Sequence, residues 1–220
     1  MQQYDFSQYF DHTNLKNDFD YIQLNNLIDE AKEYGFNTIC IPPIYVSKAK
    51  EIYKDIKITT VIDFPFGYSN FNSKISQLEA AYHDGADEFD LVMAPMIIKN
   101  KEYLFYENVI ASAKQSIGSK VLKIIIETSQ LDNSEIIDVS KICESANADF
   151  IKTSSGYGSR GADLRDIELI KLGAPNTKIK ASGGIKTFAD ALSFIDMGVS
   201  RIGSSNSVEI LKSFVVANRI

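Results

Sequence analysis

The chain has 220 residues, of which 45% are hydrophobic and 24% are charged, a composition typical of a globular protein with a substantial core. Its net charge of −6 argues against general binding to nucleic acids or anionic membranes, because those partners require excess lysine and arginine. The two cysteines form no CxxC pair, so neither a disulfide framework nor a zinc site is expected. The sequence shows no basic leader and no membrane-length apolar run, so we expect a cytoplasmic protein.

Short β-branched segments alternate with amphipathic segments along the whole chain. Eight strands are predicted, at residues 9–12, 38–41, 59–62, 88–93, 121–127, 150–153, 178–181 and 201–203. Between them, apolar residues recur at three- and four-residue steps, which predicts helices such as 21–34, 72–85, 133–146, 188–198 and 206–218. The predicted helix boundaries are N-caps at Asn72, Asn133 and Asn206 and stops at Gly35, Gly85 and Gly198.

A repeating strand–helix unit of about 25 to 30 residues requires parallel pairing through right-handed crossovers, and eight such units close a barrel. We therefore predict an α/β fold in which residues 1–220 form a single eight-stranded parallel β/α (TIM) barrel. The alternative is an open doubly wound sheet, which is expected to carry a glycine-rich turn after its first strand. Neither FDHTNLK nor ICIPPIY contains such a turn.

Two lysines and an aspartate lie at the predicted carboxyl ends of three strands, where β/α barrels place their active sites. Lys152 and Lys180 end the sixth and seventh strands, and Asp90 lies in the fourth. An ammonium close to a second ammonium loses its proton more readily, and the neutral amine attacks carbonyl groups. The trio predicts a Schiff-base enzyme. Further polar candidates at strand ends are Asp11, Thr13, Cys40, Asp63, Glu127 and the turn Gly203-Ser204-Ser205.

Some of these residues also have structural interpretations. Glu127 and Lys123 lie two alternations apart on one face of the fifth strand, so they could form a structural ion pair instead of a site. Cys40 could be a buried packing thiol instead of a pocket residue.

The last two strand–helix loops carry a second signal. Gly183 and Gly184 follow the seventh strand and Ser204 and Ser205 follow the eighth, each just before a helix. Backbone N–H groups at such positions bind phosphate oxygens, and glycine allows close approach. Together with Lys186, which could add a charge-assisted contact, these loops predict a phosphorylated substrate.

Eight ordered segments, spanning nearly the whole chain, resemble the deoxyribose-phosphate aldolase family: DHTNLK, the Cys40-Ile-Pro-Pro turn, TVIDFPFG, GADEFDLVM, LKIIIET, ADFIKTSSG, IKASGGIKT and RIGSS. The resemblance implies reversible cleavage of 2-deoxy-D-ribose 5-phosphate, with Lys152 as the Schiff-base lysine and Lys180 and Asp90 as its catalytic partners. It implies no metal, no organic cofactor and a homodimer. The residues predicted to bind the substrate are Asp11, Thr13, Cys40, Thr153, Gly183, Gly184, Lys186, Gly203, Ser204 and Ser205.

The chain departs from the family pattern in three places. Asp63 stands where glycine is usual, Met93-Ala94-Pro95-Met96 replaces a segment with Asn and Gly, and the loop 159–161 is more basic. Asp63 could pair with a lysine or alter substrate preference. Other interpretations of the chain are a Schiff-base aldolase for a different phosphosugar, a phosphate-binding-barrel isomerase that forms no imine, and a non-catalytic phosphosugar-binding protein.

Overall fold

Eight parallel strands close into a barrel in chain order in the computed structural model, which describes residues 2–217. The predicted TIM barrel is thereby confirmed. The strands are β1 Phe10–Thr13, β2 Thr38–Ile41, β3 Ile58–Ile62, β4 Glu88–Val92, β5 Val121–Ile125, β6 Phe150–Lys152, β7 Lys178–Ser182 and β8 Arg201–Ser204. The helices are α1 Gln3–Ser7, α2 Tyr21–Tyr34, α3 Val46–Ile52, α4 Phe71–His83, α5 Pro95–Lys99, α6 Tyr103–Ile117, α7 Asn133–Ser145, α8 Leu164–Gly173, α9 Phe188–Asp196 and α10 Ser207–Ala217.

Several element boundaries differ from the sequence-based ones. The N-caps of α4 and α7 are Asn70 and Asp132, whose side chains accept hydrogen bonds from backbone N–H groups three residues ahead. Both lie before the predicted caps, Asn72 and Asn133, which are therefore wrong. Gly35 ends α2 in the left-handed conformation, with φ of 67°, as its position predicts. The predicted last residue of the final helix, 218, lies outside the described residues.

The fifth strand is shorter than its apolar run suggests. β5 ends at Ile125, and Glu127 takes a left-handed conformation with φ of 53° before the short 3-10 helix Thr128–Gln130. This conformation turns the backbone, so Glu127 does not lie on the same face of the strand as Lys123. The predicted ion pair between Glu127 and Lys123 is therefore wrong: Glu127 accepts hydrogen bonds from Ser129 and Ser155, while Lys123 binds carboxylates inside the barrel.

The barrel wall separates two environments. Outward-facing strand residues such as Ile124, Ile151 and Ile202 are fully buried in one apolar core beneath the surrounding helices. Many inward-facing residues at alternate positions are charged or polar, and the contact of Lys123 on β5 with Asp11 on β1, at 3.5 Å, crosses the barrel interior. The floor of the barrel is thus polar. Among the helices of residues 2–217, none combines the length and apolar character needed to cross a membrane.

Asp63 follows β3 with φ of 52°, a conformation that glycine adopts freely and that aspartate tolerates better than most residues. Its carboxylate accepts hydrogen bonds from Ser69 N–H at 2.9 Å and Ser69 Oγ at 2.8 Å, and it pairs with Lys74. The Lys74 side chain is only 1% exposed and also donates to the carbonyls of Gly67 and Val92, at 2.8 and 3.1 Å. Of the two roles expected for Asp63, the structure shows the lysine pair.

Asp63→Asn is expected to destabilise the protein by roughly 3 kcal/mol, because it leaves the buried Lys74 ammonium without a counter-charge. Asparagine also tolerates a positive φ, so the change isolates the charge. Urea denaturation followed by circular dichroism measures the difference. The double variant Asp63→Asn with Lys74→Met is the control, since it removes both charges and should recover most of the stability. A double variant as unstable as the single one would contradict this account.

Candidate active site

A cavity of about 490 Å³ opens at the carboxyl ends of the strands. Its walls come from the ends of β1, β6, β7 and β8, from the loops after them and from α2. Lys152 reaches this cavity with its side chain 4% exposed, whereas Lys180 and Asp90 are fully buried beside it. The cavity therefore offers a small molecule access to one lysine of the predicted pair.

The predicted trio is assembled on one carboxylate. Lys152 Nζ and Lys180 Nζ donate to the same oxygen, Asp90 Oδ2, at 2.9 and 2.7 Å. Lys123 Nζ donates to the other oxygen, Oδ1, at 2.9 Å. Strand register explains the convergence, because Lys152 lies beside Lys180 in the β6–β7 pair and Asp90 lies beside Lys123 in the β4–β5 pair.

Two further carboxylates and an arginine continue the network below the trio. Lys180 pairs with Asp11 Oδ2, and Arg201 NH1 pairs with Asp11 Oδ1. Glu88 Oε2 accepts from Arg201 at 3.2 Å and from Lys123 at 2.7 Å. All of these side chains are at least nine-tenths buried. The barrel floor is thus a continuous ionic network.

The network does not act equally on its lysines. Burial lowers the pKa of Lys152, and the Lys180 charge lowers it too, while Asp90 opposes both. Burial would also lower the pKa of Lys180, but Asp11 and Asp90 raise it above its usual range. The pKa of Lys123 is raised for the same reason, by Asp90 and Asp11 against burial. Lys152 is therefore the lysine that most readily becomes a neutral amine, with burial as the larger cause and Lys180 as a smaller one.

The carboxylate at the centre stays ionised. Burial would raise the pKa of Asp90, but Lys123, Lys152 and Lys180 hold it well below the usual range. Asp11 is likewise held ionised, because Lys180, Lys123 and Arg201 outweigh burial. In contrast, burial raises the pKa of the Cys40 thiol, so this side chain is neutral.

The predicted phosphate loops, which follow β7 and β8, form part of the cavity wall. Gly183 and Gly184 have φ of 87° and 78°, and a Cβ on Gly183 would lie 2.9 Å from the Gly161 Cα, so the turn requires glycine. Ser204 Oγ donates to the Ile185 carbonyl at 2.8 Å and so joins the two loops. The predicted residues that line the cavity are Thr13, Gly183, Gly184, Lys186, Gly203, Ser204 and Ser205.

Three predicted substrate-binding residues lie elsewhere. Asp11 is fully buried in the network below the cavity. Thr153 is buried behind the wall, where its hydroxyl bonds the Ser182 backbone at 3.2 and 3.3 Å. Cys40 is fully buried on β2, close enough to Lys180 and Lys152 for their charges to act on its thiol. Sequence position brought these residues to the correct barrel end but not into the cavity.

Other site residues were not predicted from sequence. Glu88 and Arg201 complete the network. The sequence feature that could have identified them is a charged residue at alternate positions of an otherwise apolar strand. His12 lines the cavity and its Nε2 lies 2.7 Å from Glu30 Oε2, while burial lowers the pKa of His12. Helix α2 also adds polar groups to the cavity wall. Its amphipathic pattern predicts only which face of the helix is buried. The additional polar lining residues are Asn14, Lys16, Gln23, Asn26, Ser155, Tyr157, Ser182 and Asn206.

Arg160, the basic residue of the loop after β6, has a structural partner. Its guanidinium forms two hydrogen bonds to Asp166, at 2.6 and 2.9 Å, and Thr128 donates to the same carboxylate at 2.7 Å. These bonds tie the loop to the start of α8. The loop carries Ser155 and Tyr157 into the cavity wall, so Arg160 stabilises the wall without lining it.

A parallel β/α barrel with an interior lysine–carboxylate network beside an open cavity defines a barrel enzyme with a lysine-based site. Residues 6–204 match the model of the DeoC/LacD family aldolase, and the chain belongs to this family. It is therefore an aldolase, a lyase that acts on carbon–carbon bonds.

Similar proteins agree with this assignment over nearly their full length. The deoxyribose-phosphate aldolase of Dictyoglomus turgidum is 41% identical, over 96% of this chain and 98% of the relative. That of Clostridioides difficile is 45% identical, over 92% and 94%. The solved structure of the aldolase QR15 covers 98% of both chains with a TM-score of 0.93 and 34% identity. The deoxyribose phosphate aldolase from Aeropyrum pernix, described as tetrameric, covers 98% of this chain and 93% of its own, with a TM-score of 0.89 and 28% identity. The resemblance predicted from the sequence is confirmed.

The lowered pKa of Lys152 predicts selective labelling. With acetaldehyde and cyanoborohydride, we expect Lys152 to be alkylated well below the pH at which exposed lysines, with a pKa near 10.4, become reactive. A lowered pKa leaves more neutral amine at a given pH, so the advantage of Lys152 should grow as the pH falls from 9 toward 7. Peptide mass mapping at each pH measures it, with the surface residue Lys141 as the internal control. Equal pH profiles for the two lysines would contradict the assignment.

Proposed function

We propose that this aldolase reversibly cleaves 2-deoxy-D-ribose 5-phosphate into D-glyceraldehyde 3-phosphate and acetaldehyde through a Schiff base on Lys152. The observation that carries the proposal is the shared oxygen of Asp90, which Lys152 and Lys180 both contact while only Lys152 borders the cavity. The names of the relatives from Dictyoglomus turgidum and Clostridioides difficile support the choice of substrate.

The proposed reaction follows from the nucleophile. The neutral Lys152 amine adds to the C1 aldehyde of the open-chain sugar, and the adduct takes up a proton and loses water to give an iminium ion. The iminium accepts the electron pair of the C2–C3 bond as that bond breaks, while the C3 hydroxyl loses its proton and becomes the aldehyde of glyceraldehyde 3-phosphate. The remaining enamine takes a proton at C2, and water then releases acetaldehyde and regenerates the amine.

Asp90 and Lys180 are the groups placed to move these protons. In the resting site Asp90 Oδ2 accepts hydrogen bonds from both Lys152 and Lys180. As the C2–C3 electron pair moves into the iminium, the positive charge on the Lys152 nitrogen is lost, and Asp90 becomes a better proton acceptor. A water molecule between Asp90 and the C3 hydroxyl would complete the path, with the Lys180 ammonium stabilising the carboxylate.

The phosphate end of the substrate is assigned to the wall formed by the ends of β7 and β8. Gly183 and Gly184 follow β7, and Gly203 and Ser204 end β8 with Ser205 next, so the backbone N–H groups of two loops that lead into helices are available to bind the phosphate. Lys186 lines the same wall and would add a positive charge. Thr13, at the end of β1, lines the same cavity and would contact the sugar hydroxyls.

Homodimer formation stays a prediction. Residues 103–106, an aromatic-rich stretch of α6, are the predicted contact: Tyr106 is buried in the core of the protomer, whereas Leu104 and Phe105 are 71% and 37% exposed. These two side chains would form the contact.

Borohydride reduction in the presence of deoxyribose 5-phosphate, and separately of acetaldehyde, is expected to place a stable adduct on Lys152, because both compounds pass through an imine on that nitrogen. Lys152→Arg and Lys152→Ala should show no turnover and no adduct. Lys141→Arg, on the surface of α7, is the matched control and should keep full activity and the Lys152 adduct. Steady-state assays and peptide mapping measure both effects.

Near-normal turnover in either Lys152 variant would contradict the Schiff-base proposal. A folded wild-type protein that converts the substrate without any lysine adduct would instead indicate an isomerase that needs no imine. An adduct on Lys152 with some other phosphosugar as the preferred substrate would retain the mechanism and change the substrate.

Lys186→Ala is expected to raise KM for deoxyribose 5-phosphate about tenfold or more, since a charge-assisted hydrogen bond to the phosphate is lost. The KM for unphosphorylated deoxyribose should change little. Lys178→Ala is the matched control, because Lys178 is exposed at the start of β7, whereas Lys186 lies in the loop that follows the other end of this strand. Equal effects of Lys186→Ala on both sugars would remove Lys186 from the phosphate site.

A further inference from the structure

The ionic network of the barrel floor is a closed ring in which charges alternate. Starting from Asp90 Oδ1, the contacts run through Lys123 at 2.9 Å, Glu88 at 2.7 Å and Arg201 at 3.2 Å. They return through Asp11 and Lys180 to Asp90 Oδ2, the last step at 2.7 Å. We call these six side chains the charge ring.

The charge ring is neutral without Lys152. It holds three cations, Lys123, Lys180 and Arg201, and three carboxylates, and each member contacts at least two members of opposite charge. Lys123 and Asp11 also meet across the ring, at 3.5 Å. Lys152 has a single contact with the ring, at Asp90 Oδ2, which Lys180 already occupies at a shorter distance. Among residues 2–217, a protonated Lys152 is therefore the one positive charge that this buried network does not balance.

We infer that the charge ring selects Lys152 as the amine that gives up its proton, and that Arg201 and Glu88 are positioning residues that set this selection from below. The inference rests on the proposed function, since it concerns the same nucleophile. Neither residue lines the cavity, so neither touches substrate. They act through Asp11 and Lys180 on one side of the ring and through Lys123 on the other.

The groups that face Lys152 come from nearly every strand. The ring itself contributes members from β1, β4, β5, β7 and β8, and β2 adds the Cys40 thiol, which burial keeps neutral. Above the ring, the cavity is lined by further titratable groups, which are Lys16, Tyr157, Lys186 and the pair of His12 with Glu30. These upper groups are unchanged in the variants below, so any shift in Lys152 comes from the ring.

Charge changes of opposite sign should therefore move Lys152 in opposite directions. Arg201→Met leaves the ring with one excess negative charge, which stabilises protonated Lys152. Glu88→Gln leaves one excess positive charge, which destabilises it. We expect the pH midpoint of Lys152 alkylation by acetaldehyde and cyanoborohydride to rise by about one unit in Arg201→Met and to fall by a similar amount in Glu88→Gln.

The double variant gives the sharpest control. Arg201→Met with Glu88→Gln is neutral again, so its midpoint should return close to that of the wild type although two ring members are lost. Arg201→Lys keeps the charge and should stay near the wild type too. Should either single variant fail to fold, Lys123→Met and Asp11→Asn replace the pair. Lys123→Met removes a positive charge from the ring, and Asp11→Asn removes a negative charge.

Each outcome decides between the inference and a purely structural role. Opposite shifts in the single variants with recovery in the double variant support the charge ring. Shifts in the same direction, or unchanged midpoints in folded protein, would overturn it and leave Arg201 and Glu88 as packing residues. A wild-type protein that forms no adduct on Lys152 would overturn the proposed function itself, and the inference with it.

Discussion

Three lysine side chains meet on the single carboxylate of Asp90, and the rest of the site depends on keeping that arrangement buried. A buried charge without a partner costs several kcal/mol, so such a cluster survives only when every member is compensated. The barrel provides the compensation through register, since Lys180 lies beside both Lys152 and Arg201 across its two neighbouring strands. Closure of the sheet then brings β1 and β8 together, which places Asp11 within reach of Arg201.

The floor and the rim of the barrel are built on different principles. The floor consists of side chains on strands, so its geometry follows from the sheet and changes little with the loops. The rim consists of loops and carries the features that are particular to this chain. The pair of Asp63 with Lys74 and the fork of Arg160 on Asp166 both hold rim loops in place, and neither contacts the charge ring. These two departures from the family pattern therefore alter the surroundings of the site and leave its ionic centre intact.

Sequence patterns predicted the fold and the trio because both depend on local periodicity. Alternating strands and helices specify a barrel, and charged residues at strand ends specify the active end. The patterns could not predict how far below the cavity each side chain lies or which residues it contacts. Asp11 was expected at the substrate but lies below it, and Arg201 meets Glu88 across 113 positions of sequence. Glu127 was assigned to the strand because its apolar run continues, whereas a left-handed residue turns the chain away.

The charge ring bears on the bond-breaking step as well as on the nucleophile. In the proposed reaction the iminium nitrogen carries the same positive charge as protonated Lys152, and it stands at the same place beside Asp90. Because the ring is already neutral, the iminium charge is balanced only by the part of the Asp90 negative charge that Lys180 does not neutralise. Flow of the C2–C3 electron pair into the iminium removes the charge and yields a neutral enamine. The surplus positive charge that favours the neutral amine of Lys152 at rest therefore also favours cleavage of the C2–C3 bond. Deprotonation of Lys152 and cleavage each remove that charge and so restore the charge balance of the barrel floor.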